Sequence, residues 1–281
     1  MRKTMTVLIT GANGQLGQEL QKYLKEKNIE FVAADVDTLD ITNEVLVNQY
    51  ISELKPSVIY HCAAYTAVDM AEDEGKALCR LINVDGTRYL ANAAQFVNAK
   101  LVYISTDYVF DGTKQEEYTV NDTPNPQSEY GLTKFEGEEA VRDVVESHYI
   151  IRTSWVFGRF GKNFVYTMQN LAKVRDTLTI VSDQVGRPTW TRTLAEFMVY
   201  VVENECEYGT YHLSNDNSCS WYEFAKEILK DEAVVVLPVT SDEFPQKANR
   251  PKHSVMDLSK AKATGFIIPT WQEALAKFLS E

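Results

Sequence analysis

Apolar positions along this chain fall into two alternating patterns. Short continuous runs rich in β-branched and aromatic residues, TVLIT (6–10), IEFVAAD (29–35), SVIYHCAAY (57–65), KLVYIST (100–106) and YIIRTSWVF (149–157), read as strands. Between them apolar residues recur at helical spacing. Leu16, Leu20 and Leu24 make one face of QLGQELQKYLKEK, and NEVLVNQYISEL (43–54), ended by Lys55-Pro56, suits a helix. The stretches 75–99 and 131–145 read as helices in the same way. The unbroken apolar character of 57–65 predicts a parallel strand buried on both faces. Strand and helix alternating at this spacing predict an α/β fold with a doubly wound parallel sheet. After about residue 155 the alternation loosens. There, 163–173, 221–230 and 271–280 read as amphipathic helices of a smaller C-terminal region that lends some elements to the main sheet.

The turn between the first strand and the first helix is GANGQLG (11–17). A strand, G-x-x-G-x-x-G and a helix in succession make a phosphate cradle. Gly11 permits a tight turn, Gly14 lets the backbone approach a pyrophosphate, and Gly17 lets helix and sheet pack closely. The helix N-terminus then offers free N–H groups and the positive end of its dipole. Asp35 ends the second strand about 20 residues on, where a carboxylate can hold a ribose 2′-OH. Gly11, Asn13, Gly14, Gln15, Leu16, Gly17 and Asp35 are therefore candidate dinucleotide-binding residues of a Rossmann-type domain, expected over 1–154, with a substrate-binding region over 155–281. A carboxylate at 35 repels a 2′-phosphate, and no Arg lies in or just after the loop, so local electrostatics lean towards NADH.

Composition narrows the field. The 281 residues are 44% hydrophobic and 24% charged, as in ordinary globular proteins, and no apolar run approaches the roughly 20 residues of a membrane span. The opening MRKTMTVLIT leads directly into the glycine turn and reads as a first strand, not as a signal peptide. Four scattered cysteines without a C-x-x-C pair, and four scattered histidines, give no metal-ligand spacing and point to a reducing, cytoplasmic compartment. A net charge of −12 argues against nucleic acid or an anionic membrane as partner.

YGLTK (130–134) sets a tyrosine four residues before a lysine. Two other pairs share that spacing, Tyr23/Lys27 and Tyr222/Lys226, so spacing alone decides nothing. Only Tyr130 and Lys134 open a helix after a strand that ends in hydroxyls, Ser105 and Thr106, at the sheet edge where ligands bind. Thr106, Tyr130 and Lys134 are the candidate catalytic residues. Tyr130 would donate a proton to a developing alkoxide, and a nearby lysine cation would make the phenol a better acid.

GANGQLG (11–17), AAYTAVDMAE (63–72), STDYVFDG (105–112), YGLTK (130–134), RTSWVF (152–157), DQVGRPT (183–189) and RPKHSVMD (250–257) follow one another across nearly the whole chain. With these motifs the sequence resembles the extended short-chain dehydrogenase/reductases, and among them the dTDP-4-dehydrorhamnose reductase family. The resemblance implies reduction of the C4 ketone of a dTDP-sugar, dTDP-4-dehydro-L-rhamnose, by NADPH or NADH, the last step of dTDP-L-rhamnose synthesis. It implies that Gly14, Gln15, Leu16, Asp35, Asp40, Ile41, Ala64, Tyr65 and Thr66 line the cofactor, with Tyr130 and Lys134 beside it. Thr106, Asp107 and Trp155 would contact the nucleotide-sugar. Arg187, Arg250 and Lys252 are candidates for its diphosphate, since guanidinium suits planar phosphate contact. Some members of the family form a magnesium-linked homodimer through glutamates. Glu19 matches one such position, but Arg192 stands where a second carboxylate is expected, which counts against the Mg2+ site and leaves a homodimer open. A 4,6-dehydratase of the same superfamily carries Asp-Glu after the threonine, whereas here the pair is Asp107-Tyr108. A 4-epimerase and a non-catalytic Rossmann subunit remain the rival readings.

Overall fold

The computed structural model describes residues 6–281, so residues 1–5 of MRKTMTVLIT lie outside the described residues. Six parallel strands form the central sheet: β1 (Val7–Thr10), β2 (Phe31–Ala34), β3 (Val58–His61), β4 (Lys100–Thr106), β5 (His148–Thr153) and, at one edge, Gly209–His212. From the other edge the order is β2, β1, β3, β4, β5 and Gly209–His212. Because β1 pairs with both β2 and β3, the winding reverses between β1 and β3. A crevice opens at such a switch point outside the carboxyl ends of the strands. Among the described residues, no helix is long and apolar enough to cross a membrane.

Alternation within β1 shows how the two faces are filled. Val7 and Ile9 pack with Leu20 and Leu24 of helix α1 (Gln15–Glu26) and with Leu194, Phe197, Met198 and Val201 of the Thr191–Glu203 helix. Leu8 points to the other face, with Val47 and Ile51 of α2 (Glu44–Leu54) and Leu90, Ala91 and Ala94 of the Thr87–Phe96 helix. Asn43 caps α2 by accepting the Leu46 N–H at 3.1 Å, and Lys55, at φ +48 before Pro56, ends it. A third cluster, built from Phe157, Met168, Trp190, Phe224, Trp271 and Phe278, fills the C-terminal region. Both the edge strand Gly209–His212 and the Thr191–Glu203 helix come from beyond residue 155 yet complete the central sheet and its core.

Three sequence-predicted elements differ in extent. The 57–65 run is a strand only to His61, after which residues 62–65 continue without strand pairing past the switch point. The 75–99 stretch is helical but passes through a π-helical segment, Leu81–Gly86. The 149–157 run stops at Thr153, because Trp155 adopts φ +48, and Val156–Phe157 pairs instead with Thr189–Trp190.

Candidate active site

At the switch point the glycine loop meets β3. Gly11 has φ +65, and a Cβ there would lie 2.5 Å from the Ala63 backbone. A Cβ on Gly17 would lie 2.3 Å from the Gly11 carbonyl oxygen and 2.8 Å from Ala12 Cα. Helix α1 starts at Gly14 with no side-chain cap and no acidic residue in its first turn, so its N-terminal N–H groups stay available to an anion. The Asp35 carboxylate accepts the Asn13 N–H at 2.8 Å and the Val36 N–H at 2.9 Å, which locks the loop to the end of β2. Asp40 similarly accepts from Thr42 N–H (2.9 Å) and hydroxyl (2.7 Å). A cavity of about 590 Å³ is lined by Gly11, Asn13, Gly14, Asp35, Asp40 and Ile41, with Leu78 and Ile82 as apolar wall. These features fit a dinucleotide: a bare helix N-terminus for phosphates, a carboxylate for a ribose, and an apolar wall for a base. The cavity lining contains two carboxylates and no Lys or Arg. Gly17→Ala should cost about 1–3 kcal/mol and weaken dinucleotide binding, because backbone atoms must move to admit the methyl. Thermal melts and coenzyme titration by fluorescence check this.

A second cavity of about 500 Å³ shares Gly14, Cys62 and Ala64 with the first and carries the proposed chemistry. Gln15, Leu16, Thr66, Thr106, Asp107, Tyr130, Lys134 and Trp155 all line it. Thr106 is the last residue of β4, while Tyr130 and Lys134 lie on one side of the Glu129–Val144 helix, which Ser128 caps by accepting the Gly131 N–H at 3.1 Å. The Thr106 hydroxyl donates to Asp107 Oδ1 (3.1 Å) and accepts from the Tyr108 N–H (3.2 Å). The Tyr130 phenol lines the same cavity, near enough for Thr106 to influence its titration. Burial pushes the Tyr130 pKa up, and the Thr106 contact pulls it back. The phenol is therefore held protonated. The Lys134 ammonium sits 4.1 Å from the centroid of the Tyr103 ring. Burial lowers the Lys134 pKa to about 7, with Glu138, one turn on, opposing. Asp107 is raised to about 6 by burial, against hydrogen bonds from Ser254 (2.6 Å) and Thr106.

Beneath this layer lies a buried polar network that the sequence did not reveal. The fully buried Glu138 carboxylate accepts from Arg152 Nε (2.8 Å) and Nη2 (2.7 Å) and from the Ser105 hydroxyl (2.6 Å). The helix of Tyr130 and Lys134 is thereby tied to the ends of β4 and β5. Asn83, in the π-helical segment, accepts the Tyr65 N–H (2.9 Å) and donates to the Tyr65 carbonyl (3.2 Å), which fixes the segment after β3. An i, i+4 pattern signals neither contact, because both join residues far apart in sequence.

Not every candidate reaches the cleft. Tyr65 is absent from the lining of both cavities, and its hydroxyl lies where a Cβ on Gly75 would be 2.0 Å away. Arg187 is buried and paired with Glu117 and with Asp216 (2.8 Å), also outside the lining. Arg250 donates to Asp69 (2.9 Å) and to the Tyr108 hydroxyl (3.2 Å), so it touches the cleft only through Tyr108, which stands edge-on to Tyr130. Lys252 faces Asp183 at 3.7 Å. The cations that do line this second cavity are Lys134 and Lys162, the latter carried by a loop held to α1 through Asn163 Nδ2, which donates to Gln15 Oε1 (3.2 Å). A lysine beside a glycine in the loop GRFGKN (158–163) was the available signal. Arg192 stands among Glu26 (2.6 Å), Glu196 (2.7 Å) and Glu19 (3.9 Å), so a guanidinium occupies the place where a magnesium site would need a further carboxylate. Among the described residues no cluster of three or more His, Cys, Asp or Glu is arranged to hold a metal.

Known proteins resemble this chain over nearly its whole length. The family described as "RmlD substrate binding domain" matches residues 5–281. A dTDP-4-dehydrorhamnose reductase of Aggregatibacter actinomycetemcomitans is 42% identical, over 96% of each chain. A crystal structure of a dTDP-4-dehydrorhamnose reductase from Clostridium acetobutylicum superposes with a TM-score of 0.95 at 48% identity, covering 98% of this chain and 99% of that one. Another, from Bacillus anthracis in complex with NADP, gives 0.95 at 44% identity and covers 99% of each.

Proposed function

Because this chain belongs to the dTDP-4-dehydrorhamnose reductase family, a family of NAD(P)-dependent oxidoreductases, we propose that it reduces the C4 ketone of dTDP-4-dehydro-β-L-rhamnose to give dTDP-L-rhamnose. The observation that carries the proposal is one cavity lined at once by the N-terminus of α1 and by Thr106, Tyr130 and Lys134. Gly11, Asn13, Gly14, Gln15, Leu16, Gly17, Asp35, Asp40 and Ile41 would hold the coenzyme, whose bound nicotinamide supplies hydride to the carbonyl carbon. The Thr106 hydroxyl orients the ketone oxygen. Tyr130 Oη delivers its proton to that oxygen as negative charge develops, a transfer favoured because an alkoxide is far more basic than a phenolate. The Lys134 charge then stabilises the phenolate left behind. Residues 1–154 form the coenzyme domain and 155–281 the sugar-binding region, with Asp107 of the first and Trp155 of the second on the substrate side and Lys162 a better-placed cation than Arg187 for phosphate.

The two carboxylates and the lack of Lys or Arg at the Asp35 end support use of NADH at least as readily as NADPH. Four unpaired cysteines suit the cytoplasm. The test mixes purified protein with enzymatically prepared dTDP-4-dehydrorhamnose and follows coenzyme absorbance with NADH and NADPH separately. Oxidation with dTDP-L-rhamnose as product, and kcat/KM for NADH no lower than for NADPH, is expected. Folded protein that binds dinucleotide yet oxidises neither coenzyme overturns the proposal.

A further inference from the structure

Trp155 holds a backbone conformation that a bulky side chain rarely adopts, φ +48, and it does so in the wall of the catalytic cavity. Such an outlier persists only where its surroundings over-determine it, and here they can be named. The Trp155 indole lies on that of Trp221, centroids 3.6 Å apart and planes 10° from parallel. A Cβ on Gly186 would lie 2.6 Å from Trp155 Cε2, so only glycine leaves room for the ring there. The Trp155 carbonyl accepts the Thr189 N–H at 3.2 Å. Gly186 and Trp221 reach Trp155 from one small antiparallel ladder, in which Gly186 pairs with Cys219 and Val185 with Ser220.

Trp221 is itself well fixed. It opens the Trp221–Ile228 helix behind a reciprocal cap: the Ser220 hydroxyl accepts the Glu223 N–H (3.1 Å), and the Glu223 carboxylate accepts the Ser220 N–H (2.7 Å). Phe164 packs against its ring, centroids 4.5 Å apart. Yet Trp221 is not among the residues lining the cavity. A half-exposed aromatic ring spent on holding another aromatic ring, at the point where the backbone is strained, acts on the cavity through that second ring.

We propose that Trp221, with Gly186, forms a slot that clamps the Trp155 indole, and that Trp221 is thereby a positioning residue for the sugar ring of the substrate. The inference rests on the proposed reduction of a dTDP-sugar and says which part of it Trp221 governs. Trp155 lines the cavity of Tyr130 and is absent from the lining of the cavity at Asp35, whereas the dinucleotide cradle and the Tyr130 proton are built from other elements. Losing the clamp should therefore weaken substrate binding and spare both coenzyme binding and the chemical step.

Of the four tryptophans, Trp155 and Trp221 make the Trp–Trp stack found among the described residues. Two indoles this close couple their transitions and give a paired positive and negative band in circular dichroism. Wild type, Trp221→Phe, Trp221→Ala, Trp221→Leu and Trp155→Phe would be compared. The expected results are a couplet in wild type that is absent from every variant, a KM for the ketosugar raised about five- to tenfold in Trp221→Ala, and recovery of most of that loss in Trp221→Phe, which can still stack. Neither kcat nor coenzyme affinity should follow. Should Trp221→Ala melt below the assay temperature, Trp221→Leu, which keeps bulk without an aromatic face, is expected to show the same KM increase. An active wild type without the couplet, unchanged KM in Trp221→Ala and Trp221→Leu, or a fall confined to kcat would each overturn the inference alone. A wild type inert towards the ketosugar would overturn the parent reading, and the inference with it.

Discussion

Tyr130→Phe is expected to lower kcat by about 10²–10⁴-fold while leaving coenzyme affinity and thermal stability near those of wild type. The substitution removes one hydroxyl and keeps the ring, so the edge-on contact with Tyr108, centroids 5.5 Å apart, survives. What disappears is the acid. Among the groups lining the cavity, Tyr130 carries a phenol that is held protonated because desolvation raises its pKa. Thr106 cannot replace it, since an aliphatic hydroxyl is a far weaker acid than a phenol. Asp107, raised only to about 6, is largely ionised at neutral pH and its Oδ2 is taken by Ser254. Initial rates under saturating coenzyme, with a fluorescence titration of coenzyme beside them, make the measurement. If Tyr130→Phe kept wild-type kcat, proton delivery would have to be assigned elsewhere.

Features that local periodicity writes into the chain were legible before any coordinates. The glycine loop, Asp35 about 20 residues on, and the Tyr130–Lys134 pair all sit at strand ends or helix starts, and strand-helix alternation alone places those at one edge of a parallel sheet. Arg187 and Arg250 show where that reasoning stops. Guanidinium suits phosphate, but whether a particular one is free depends on carboxylates remote in sequence. Here Glu117 and Asp216 take up Arg187, and Asp69 takes up Arg250. The Glu138–Arg152–Ser105 network is hidden for the same reason. Its members read locally as a solvated helix carboxylate, a strand arginine and a strand serine, and only tertiary packing buries them together. Trp155 was legible as a cavity residue through its motif, whereas its left-handed backbone was not, since nothing in RTSWVF marks that conformation.

Lys134→Met should abolish activity and yet stabilise the ligand-free protein on the acid side of its pH range. In the fold the Lys134 ammonium is 2% exposed, and burial lowers its pKa to about 7. In the unfolded chain the same group titrates at about 10.4. Between those values the unfolded state binds more protons, so this lysine makes stability rise as pH climbs from about 7 towards 10. Below about pH 7 the charge must be carried into the interior, at a cost on the order of 3–5 kcal/mol from the separation of the two pKa values. Methionine has a similar unbranched stem and no charge to bury. It loses the contact with the Tyr103 ring, worth about 1–2 kcal/mol, so a net gain of about 1–4 kcal/mol is expected near pH 6, shrinking towards pH 9. Glu138 keeps its hydrogen bonds to Arg152 and Ser105 in the variant and is not left stranded. Catalysis has no such compensation: without a cation beside it, the phenolate formed on proton transfer is unsupported, and kcat should fall at least about 10²-fold. Denaturant titrations of both proteins at the two pH values, with coenzyme absent, decide the matter. A variant less stable than wild type at both would mean that Lys134 is held by its surroundings better than its burial implies. A variant more stable but inactive would show that the fold sets a charge where the chemistry needs it, at the expense of its own stability.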